Sequence, residues 1–319
     1  MQKTVLITGA SGFIGSFLVE RALSEGYEVW AGVRRTSDLS YLRDKRIHLI
    51  DLSLSNRQQL TEQISQHTIE HGPWQFVVHN AGLTKSLRKD DFYRVNYECT
   101  VNLVEALQKA DSVPQKFAFM SSLSAARTQT VYGDSKLKTE AYLLEQKAFP
   151  SVIMRPTGVY GPREKDYFLM MKTVQSGLDV TVGFQQQWLT FVYVADLARA
   201  VFLALESPFS HKIYTVSDGK VYTDKEYTDL LKRYLGKKRV LRLRVPVPVL
   251  FVVSWLAEKW SVFTKKPSTL NTDKFKIMKI RDWSCDIASL QEDLSFVPEF
   301  DLKKGLRVCV EWYRRNGWL

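Results

Sequence analysis

The chain has 319 residues, 45% of them hydrophobic, 12% aromatic and 25% charged, with 16 Gly and 10 Pro. That composition excludes disordered, collagen-like and low-complexity classes and provides for a full core in one large domain or two closely joined ones. Three cysteines (Cys99, Cys285 and Cys309) are too few and too scattered for a disulfide framework or a zinc site, and they fit a reduced, cytoplasmic protein. No signal peptide is read: Lys3 is followed at once by Val5-Leu6-Ile7, inside a first strand predicted at Thr4–Thr8. Further strands are predicted at Glu28–Val33, Ile47–Asp51, Phe76–His79 and Lys116–Ser121, each short and apolar, as strands buried on both faces are. Amphipathic stretches such as Phe17–Ser24 and Val101–Ala110 lie between them. This order predicts an α/β fold with a doubly wound parallel sheet of the Rossmann type. After Arg155-Pro156 the alternation becomes irregular. Residues 1–160 are therefore assigned to a nucleotide-binding domain. Residues 161–319 are assigned mainly to a smaller C-terminal α/β substrate domain, with 188–218 returning to the first.

Thr8-Gly9-Ala10-Ser11-Gly12-Phe13-Ile14-Gly15 follows the first strand and opens a helix. Gly9 suits a tight turn, Gly12 lets backbone N–H groups approach a pyrophosphate, and Gly15 lets helix and strand pack closely. The second strand then ends in Val33, Arg34 and Arg35, where an NAD-specific site would place an acid for the ribose 2′-hydroxyl. An acid repels a 2′-phosphate and a guanidinium binds one, so NADP(H) is expected over NAD(H). Tyr132-Gly133-Asp134-Ser135-Lys136 is a Y-x-x-x-K motif. On a helix its phenol and ammonium share one face. A nearby lysine favours the phenolate and makes tyrosine a usable acid–base near neutral pH.

The G-x-x-G-x-x-G spacing resembles the extended short-chain dehydrogenase/reductase family, in its epimerase/dehydratase-like group, and the resemblance runs along nearly the whole chain. It implies that Asp51-Leu52 contacts the adenine and that Asn80-Ala81-Gly82 passes under the ribose and pyrophosphate. It also implies that Ser122 holds the substrate oxygen, with Ser124 as runner-up, and that Lys136 binds the nicotinamide ribose as well as tuning Tyr132. Arg155-Pro156-Thr157-Gly158-Val159-Tyr160-Gly161-Pro162 resembles the segment beside the nicotinamide. Phe191–Ala198 resembles a returning strand and helix start, with Asp196 a structural cap. Glu311–Leu319 resembles the tail of bacterial members and is expected to be a packed amphipathic helix. Ser122 and Tyr132 are only ten apart, so the loop over the substrate looks trimmed. The Asp-Glu pair of nucleotide-sugar dehydratases is missing after Ser122. A ketone or aldehyde reductase using Ser122, Tyr132 and Lys136 is therefore expected. A nucleotide-sugar epimerase, dehydratase or reductase is the first alternative, and a non-catalytic NADP-sensing protein the second.

Several features carry no part in that chemistry. His67-Thr68-Ile69-Glu70-His71 spells an inverted zinc-protease motif, but Gly72-Pro73 ends the helix at once. A solvated helix end is expected there, and no metal. His79 and Cys99 are expected to be structural. The charge of +11 is concentrated: between Lys232 and Arg281, fourteen Lys or Arg against two acids, Glu258 and Asp273, leave +12. Inside that segment runs the apolar stretch Val245–Ala257, followed by Glu258-Lys259-Trp260 and too short to span a bilayer. Two readings stay open for it. It is a core helix of the second domain, or it is a greasy substrate mouth with peripheral membrane contact through 245–266 at the inner surface. A wide entrance with a cationic rim would suit a lipid-like 3-keto compound. The expected partners are a small-molecule carbonyl substrate and a second copy in a homodimer. Nucleic acid is not expected, since no recognised module accompanies the basic residues.

Overall fold

The structure, a computed structural model, describes residues 2–127, 130–264 and 271–319. The first six strands are β1 (Thr4–Thr8), β2 (Glu28–Gly32), β3 (Ile47–Ile50), β4 (Phe76–His79), β5 (Lys116–Met120) and β6 (Ser151–Pro156). A seventh, Lys212–Val216, joins them in one parallel sheet, read from that edge as Lys212–Val216, β6, β5, β4, β1, β2, β3. The order reverses between β1 and β4, and a crevice opens there at the carboxyl ends of the strands.

Both faces of the sheet are covered, which is why its central strands read as unbroken apolar runs. Val5, Ile7 and Val78 point to one face and meet Leu18 and Val201 from the helices Phe13–Ser24 and Val194–Glu206. Leu6, Val77 and Phe117 point to the other and meet Ile64 and Leu103 from the helices Arg57–His71 and Cys99–Lys109. Side chains alternate along a strand, so one tripeptide feeds two cores. Three predicted strands end early: Val33, Asp51 and Ser121 have already left the sheet. They begin the loops of the crevice.

A third core binds the C-terminal half. Tyr160, Phe191, Tyr227, Leu231, Leu306 and Tyr313 pack together. They come from the segment after β6, the helix Asp224–Leu235 and the helix Leu302–Arg315. Helix Asp224–Leu235 starts in a capping box between Thr223 and Glu226 and stops at Gly236, whose φ of +70° favours glycine. Tyr313 Oη donates to the carbonyls of Gly161 (2.9 Å) and Glu164 (2.7 Å). Leu178–Val182 and Leu241–Val245 form a small parallel ribbon, which runs through Pro246 into the helix Val247–Thr264.

Two expectations are corrected here. Asp196 does not cap its own helix: its carboxylate accepts the backbone N–H groups of Glu299 (3.1 Å) and Phe300 (2.8 Å), holding a distant loop. His67 is no solvated helix end. It is buried, stacked on Trp74 at 3.8 Å and edge-on to Trp30 at 4.4 Å, and burial lowers its pKa to about 4.

Candidate active site

The glycine loop after β1 is fixed by backbone approach. A Cβ on Gly15 would stand 2.1 Å from the Gly9 carbonyl oxygen, and one on Gly9 would stand 2.9 Å from the Ala81 backbone. Gly9 also has φ of +65°. Helix Phe13–Ser24 begins at Gly12, which has no side chain to cap its N-terminus. Ser11, Gly12, Phe13 and Ile14 line the crevice instead. A helix N-terminus with open N–H groups behind a glycine cradle fits a pyrophosphate. Asn80 Nδ2 donates to the Gly9 carbonyl at 3.3 Å, and the Ala81 N–H donates to Thr8 Oγ1 at 3.1 Å. Gly82 lies so near Lys136 that a Cβ would stand 3.1 Å from Nζ. The sequence-predicted loops 9–15 and 80–82 thus converge on one place.

Arg34 and Arg35 stand at the end of β2 with their side chains in solvent, and Arg35 Nε is 3.8 Å from an Asp51 carboxylate oxygen. Asp51 is exposed at the end of β3, while Leu52 is buried against Trp30. These four residues flank the crevice rather than line it.

The catalytic candidates gather at the other end of the crevice. Thr130 caps the helix Val131–Glu145 by accepting the Gly133 N–H at 3.0 Å. Tyr132 and Lys136 then fall one turn apart and both line the cleft. Tyr132 shares a side-chain hydrogen bond with Ser122. Burial raises the Tyr132 pKa, and the Ser122 bond offsets part of that rise. Lys136 is buried, donates to the Met120 carbonyl at 2.8 Å and lies 4.7 Å from the Phe119 ring centre. Burial brings its pKa down to about 8, against the pull of Glu140. Ser124 also lines the cleft, and its N–H donates to Ser122 Oγ at 3.2 Å. Ser121 also lines the cleft, and its hydroxyl donates to the Glu140 carboxylate. Pro156 ends β6 at the cleft wall.

Sequence reasoning expected His79 to be structural, as it is, but passed over Asn96 and Glu140, which also hold this arrangement. Asn96 sits in a π-helical turn, Tyr93–Glu98, where it is fully buried. Its Oδ1 accepts the Leu83 N–H at 2.7 Å. Its Nδ2 donates to the Leu83 carbonyl at 3.1 Å and to Ser135 Oγ at 3.0 Å. One amide thereby pins the 80–83 loop to the catalytic helix. His79 does the same for β1 and β4: Nδ1 meets Thr8 Oγ1 at 2.8 Å and Nε2 meets Thr100 Oγ1 at 3.0 Å. Beneath Lys136, Arg155 Nε bonds both oxygens of Glu140, at 2.9 and 3.1 Å. An acid four residues after Lys136 was the available signal; Asn96 had none in the sequence.

The cleft holds about 950 Å³. Its far wall is built by Glu258 and Ser261, from helix Val247–Thr264, and by Asp273, Lys274 and Ile277 from helix Thr272–Lys279. Asp273 Oδ2 accepts the Val131 N–H at 3.3 Å and so touches the catalytic helix at its N-terminus. Six bases (Lys85, Lys89, Lys136, Arg163, Lys165 and Lys274) and five acids (Asp38, Glu164, Asp166, Glu258 and Asp273) line the cleft among the described residues, so the basic segment does not build the expected cationic rim. Lys274 is the one basic residue of the segment 232–281 among the described lining residues. Lys85 is paired with Asp166 at 2.7 Å, Arg163 with Glu20 at 2.6 Å.

Comparison with known proteins agrees with this geometry. The model of the NAD dependent epimerase/dehydratase family matches residues 5–217. A ceramide reductase of Caulobacter vibrioides is 27% identical over 99% of this chain and 96% of its own. A decarboxylating sterol-4-alpha-carboxylate 3-dehydrogenase of Dictyostelium discoideum is 24% identical over 95% of this chain and 99% of its own. In fold, the UDP-glucose 4-epimerase of Thermotoga maritima superposes with a TM-score of 0.77 at 21% identity, over 98% of this chain and 99% of that one. The Bordetella bronchiseptica enzyme WbmG, solved with NAD, gives 0.77 at 20% identity, over 100% and 96%.

Proposed function

The chain belongs to the NAD-dependent epimerase/dehydratase family and is a nicotinamide-dependent enzyme, and within that family we propose an NADP(H)-dependent oxidoreductase that reduces a lipid-like 3-keto compound. The bound cofactor supplies hydride. Gly9, Ser11, Gly12, Phe13, Ile14 and Gly15 hold its pyrophosphate, Asn80, Ala81, Gly82 and Pro156 line its path, and Asp51 and Leu52 flank the adenine. Arg34 and Arg35 take the 2′-phosphate, because two guanidinium groups stand where an acid would hold a free hydroxyl. Ser122 donates a hydrogen bond to the substrate oxygen. Tyr132 keeps its proton in a buried site and gives it to that oxygen as negative charge develops there. Lys136, buried one turn further on, holds the ribose and lowers the cost of the phenolate that remains. In this reading residues 1–160 serve the cofactor and 161–319 mainly the substrate, and the enzyme works in the cytoplasm as a homodimer, seated at the inner membrane surface.

The observation that carries the substrate class is the far wall. A nucleotide sugar brings a diphosphate, which calls for unpaired cations. Here six bases are nearly matched by five acids among the described lining residues, Lys85 and Arg163 are ion-paired, and Glu258 and Asp273 face the cleft from the wall. The wall helix is apolar on its outward side, and curated relatives are named for ceramide, sterol and 3-beta-hydroxysteroid substrates. The test is a substrate panel with long-chain 3-keto compounds, 3-ketosteroids and UDP-sugars as arms, ketone reduction being followed by NADPH absorbance and UDP-sugar turnover by chromatography of the products, since epimerisation consumes no net NADPH. Turnover of keto-lipids is expected. Turnover of UDP-sugars alone transfers the enzyme to the epimerase branch, and tighter binding of NADH than NADPH removes the role given to Arg34 and Arg35.

A further inference from the structure

Helix Val247–Thr264 is turned inside out. Its packed stripe carries Leu250, Ser254 and Ser261, all buried, with Glu258 half-buried between them. Its outward side carries Phe251, Val252, Trp255, Leu256 and Trp260, between 47% and 67% exposed. A helix on a protein surface normally does the reverse. Ser254 Oγ even lies buried with no hydrogen-bond partner among the described residues. The helix is therefore no core helix. No described helix is long and apolar enough to cross a membrane.

The charge beside this apolar side is of one dominant sign. Lys259 lies 5.9 Å from the Trp255 ring. The neighbouring helix Thr272–Lys279 packs Phe275 edge-on against Phe251 at 5.3 Å and carries Lys276, 3.6 Å from Asp273, and Lys279 in its last turn. The ribbon that leads into the helix exposes Leu241, Leu243 and Val180. Tryptophans among lysines beside an aliphatic surface suit the boundary between acyl chains and headgroups. Lys265 and Lys266, in the predicted contact 245–266, lie outside the described residues.

We propose that helix Val247–Thr264 lies in the surface of an anionic bilayer, with its apolar side in the acyl boundary and the surrounding cations on the headgroup phosphates. Glu258 and Ser261, on the opposite stripe, line the cleft. A lipid ketone leaving the leaflet then crosses the width of one helix to reach Tyr132. That route rests on the keto-lipid reading above; the docking does not.

The full chain is sedimented with phosphatidylcholine vesicles, alone or with about one-third phosphatidylglycerol, at low and high salt. Binding to the anionic vesicles at low salt is expected, falling at least about tenfold without phosphatidylglycerol or at high salt. The double variant Trp255→Glu/Trp260→Glu is expected to bind at least about tenfold more weakly and to turn over a short, water-soluble ketone like the parent. Absent binding, or equal binding by parent and variant, overturns the proposal. So does a parent dimer that this variant splits in the ultracentrifuge, which gives the face to a second copy. Vesicle binding without turnover of any ketone defeats the reductase reading and leaves the docking standing.

Discussion

The two walls of the cleft satisfy their side chains in different ways. On the cofactor side, Thr8, His79, Thr100, Asn96 and Ser135 answer one another in a chain of hydrogen bonds from β1 to the catalytic helix. Glu140 and Arg155 close a buried ion pair behind it. On the far side, helix Val247–Thr264 leaves Phe251, Trp255 and Trp260 about half exposed or more, and its neighbour Thr272–Lys279 touches the cofactor side through Asp273 and the Val131 N–H. The first wall is complete within the chain. The second presents a surface that water does not satisfy. Rigidity belongs with the chemistry, and adaptability with whatever delivers the substrate.

Changes on the first wall should therefore cost catalysis or stability, and changes on the second should not. The largest effect is expected for Tyr132→Phe. Turnover should drop by about 10²–10⁴-fold while NADPH still quenches or shifts fluorescence as in the parent; a variant with near-normal kcat removes Tyr132 as the acid. Next is Glu140→Gln, which leaves Arg155 with an unbalanced charge. Breaking one partner of a buried pair costs about 3 kcal/mol, so the melting temperature should fall by about 6–10 °C. A fall of under a degree would show that water reaches the pair freely.

A pH profile sharpens the same contrast. Lys136 has its pKa lowered to about 8, so its ammonium is present below that pH and is lost as pH rises through it. kcat/KM for ketone reduction is expected to be flat below about pH 8 and to fall about tenfold per unit above it. Lys136→Arg should move that limb up or abolish it. A smaller effect is expected at Arg34→Ala: about tenfold weaker NADPH, with NADH nearly unchanged, by fluorescence titration. The smallest is Trp255→Ser. On an exposed face it should alter unfolding free energy by no more than about 0.5 kcal/mol in denaturant melts. A loss of several kcal/mol would put Trp255 in a core and erase the difference between the walls.

Legibility in the sequence followed the same division. The glycine loop could be read because Gly9 and Gly15 answer backbone contacts with no room for a Cβ, a constraint that leaves its mark in residue identity. Tyr132 and Lys136 could be read because helical spacing puts four-apart residues on one face. Asn96 escaped because a lone Asn in a helical run looks like any solvated position until the π-turn buries it. Glu140 and Arg155 escaped because fifteen residues separate two charges that the sheet brings together. Val245–Ala257 stayed ambiguous for a different reason. An apolar run records that water is unwelcome but not what replaces it, and here the stripe that packs inward carries Ser254 and Ser261. The basic segment misled about the rim because charge counted along the chain does not say which way its side chains face.

The seventh strand has a consequence for how the molecule is made. Lys212–Val216 pairs with β6 in register, Lys212 opposite Val152 through Val216 opposite Pro156. Residues 157–211 must first fold back before that pairing can form, a non-local closure that carries a large loop-entropy cost and slows folding. Until then β6 is an open edge, apolar along Val152–Met154 and able to pair with the same strand of another nascent chain. Misassembly at elevated concentration or temperature should therefore begin at Ser151–Pro156, and a helper that shields this edge during synthesis would raise the yield of native protein more than any change that stabilises the finished fold.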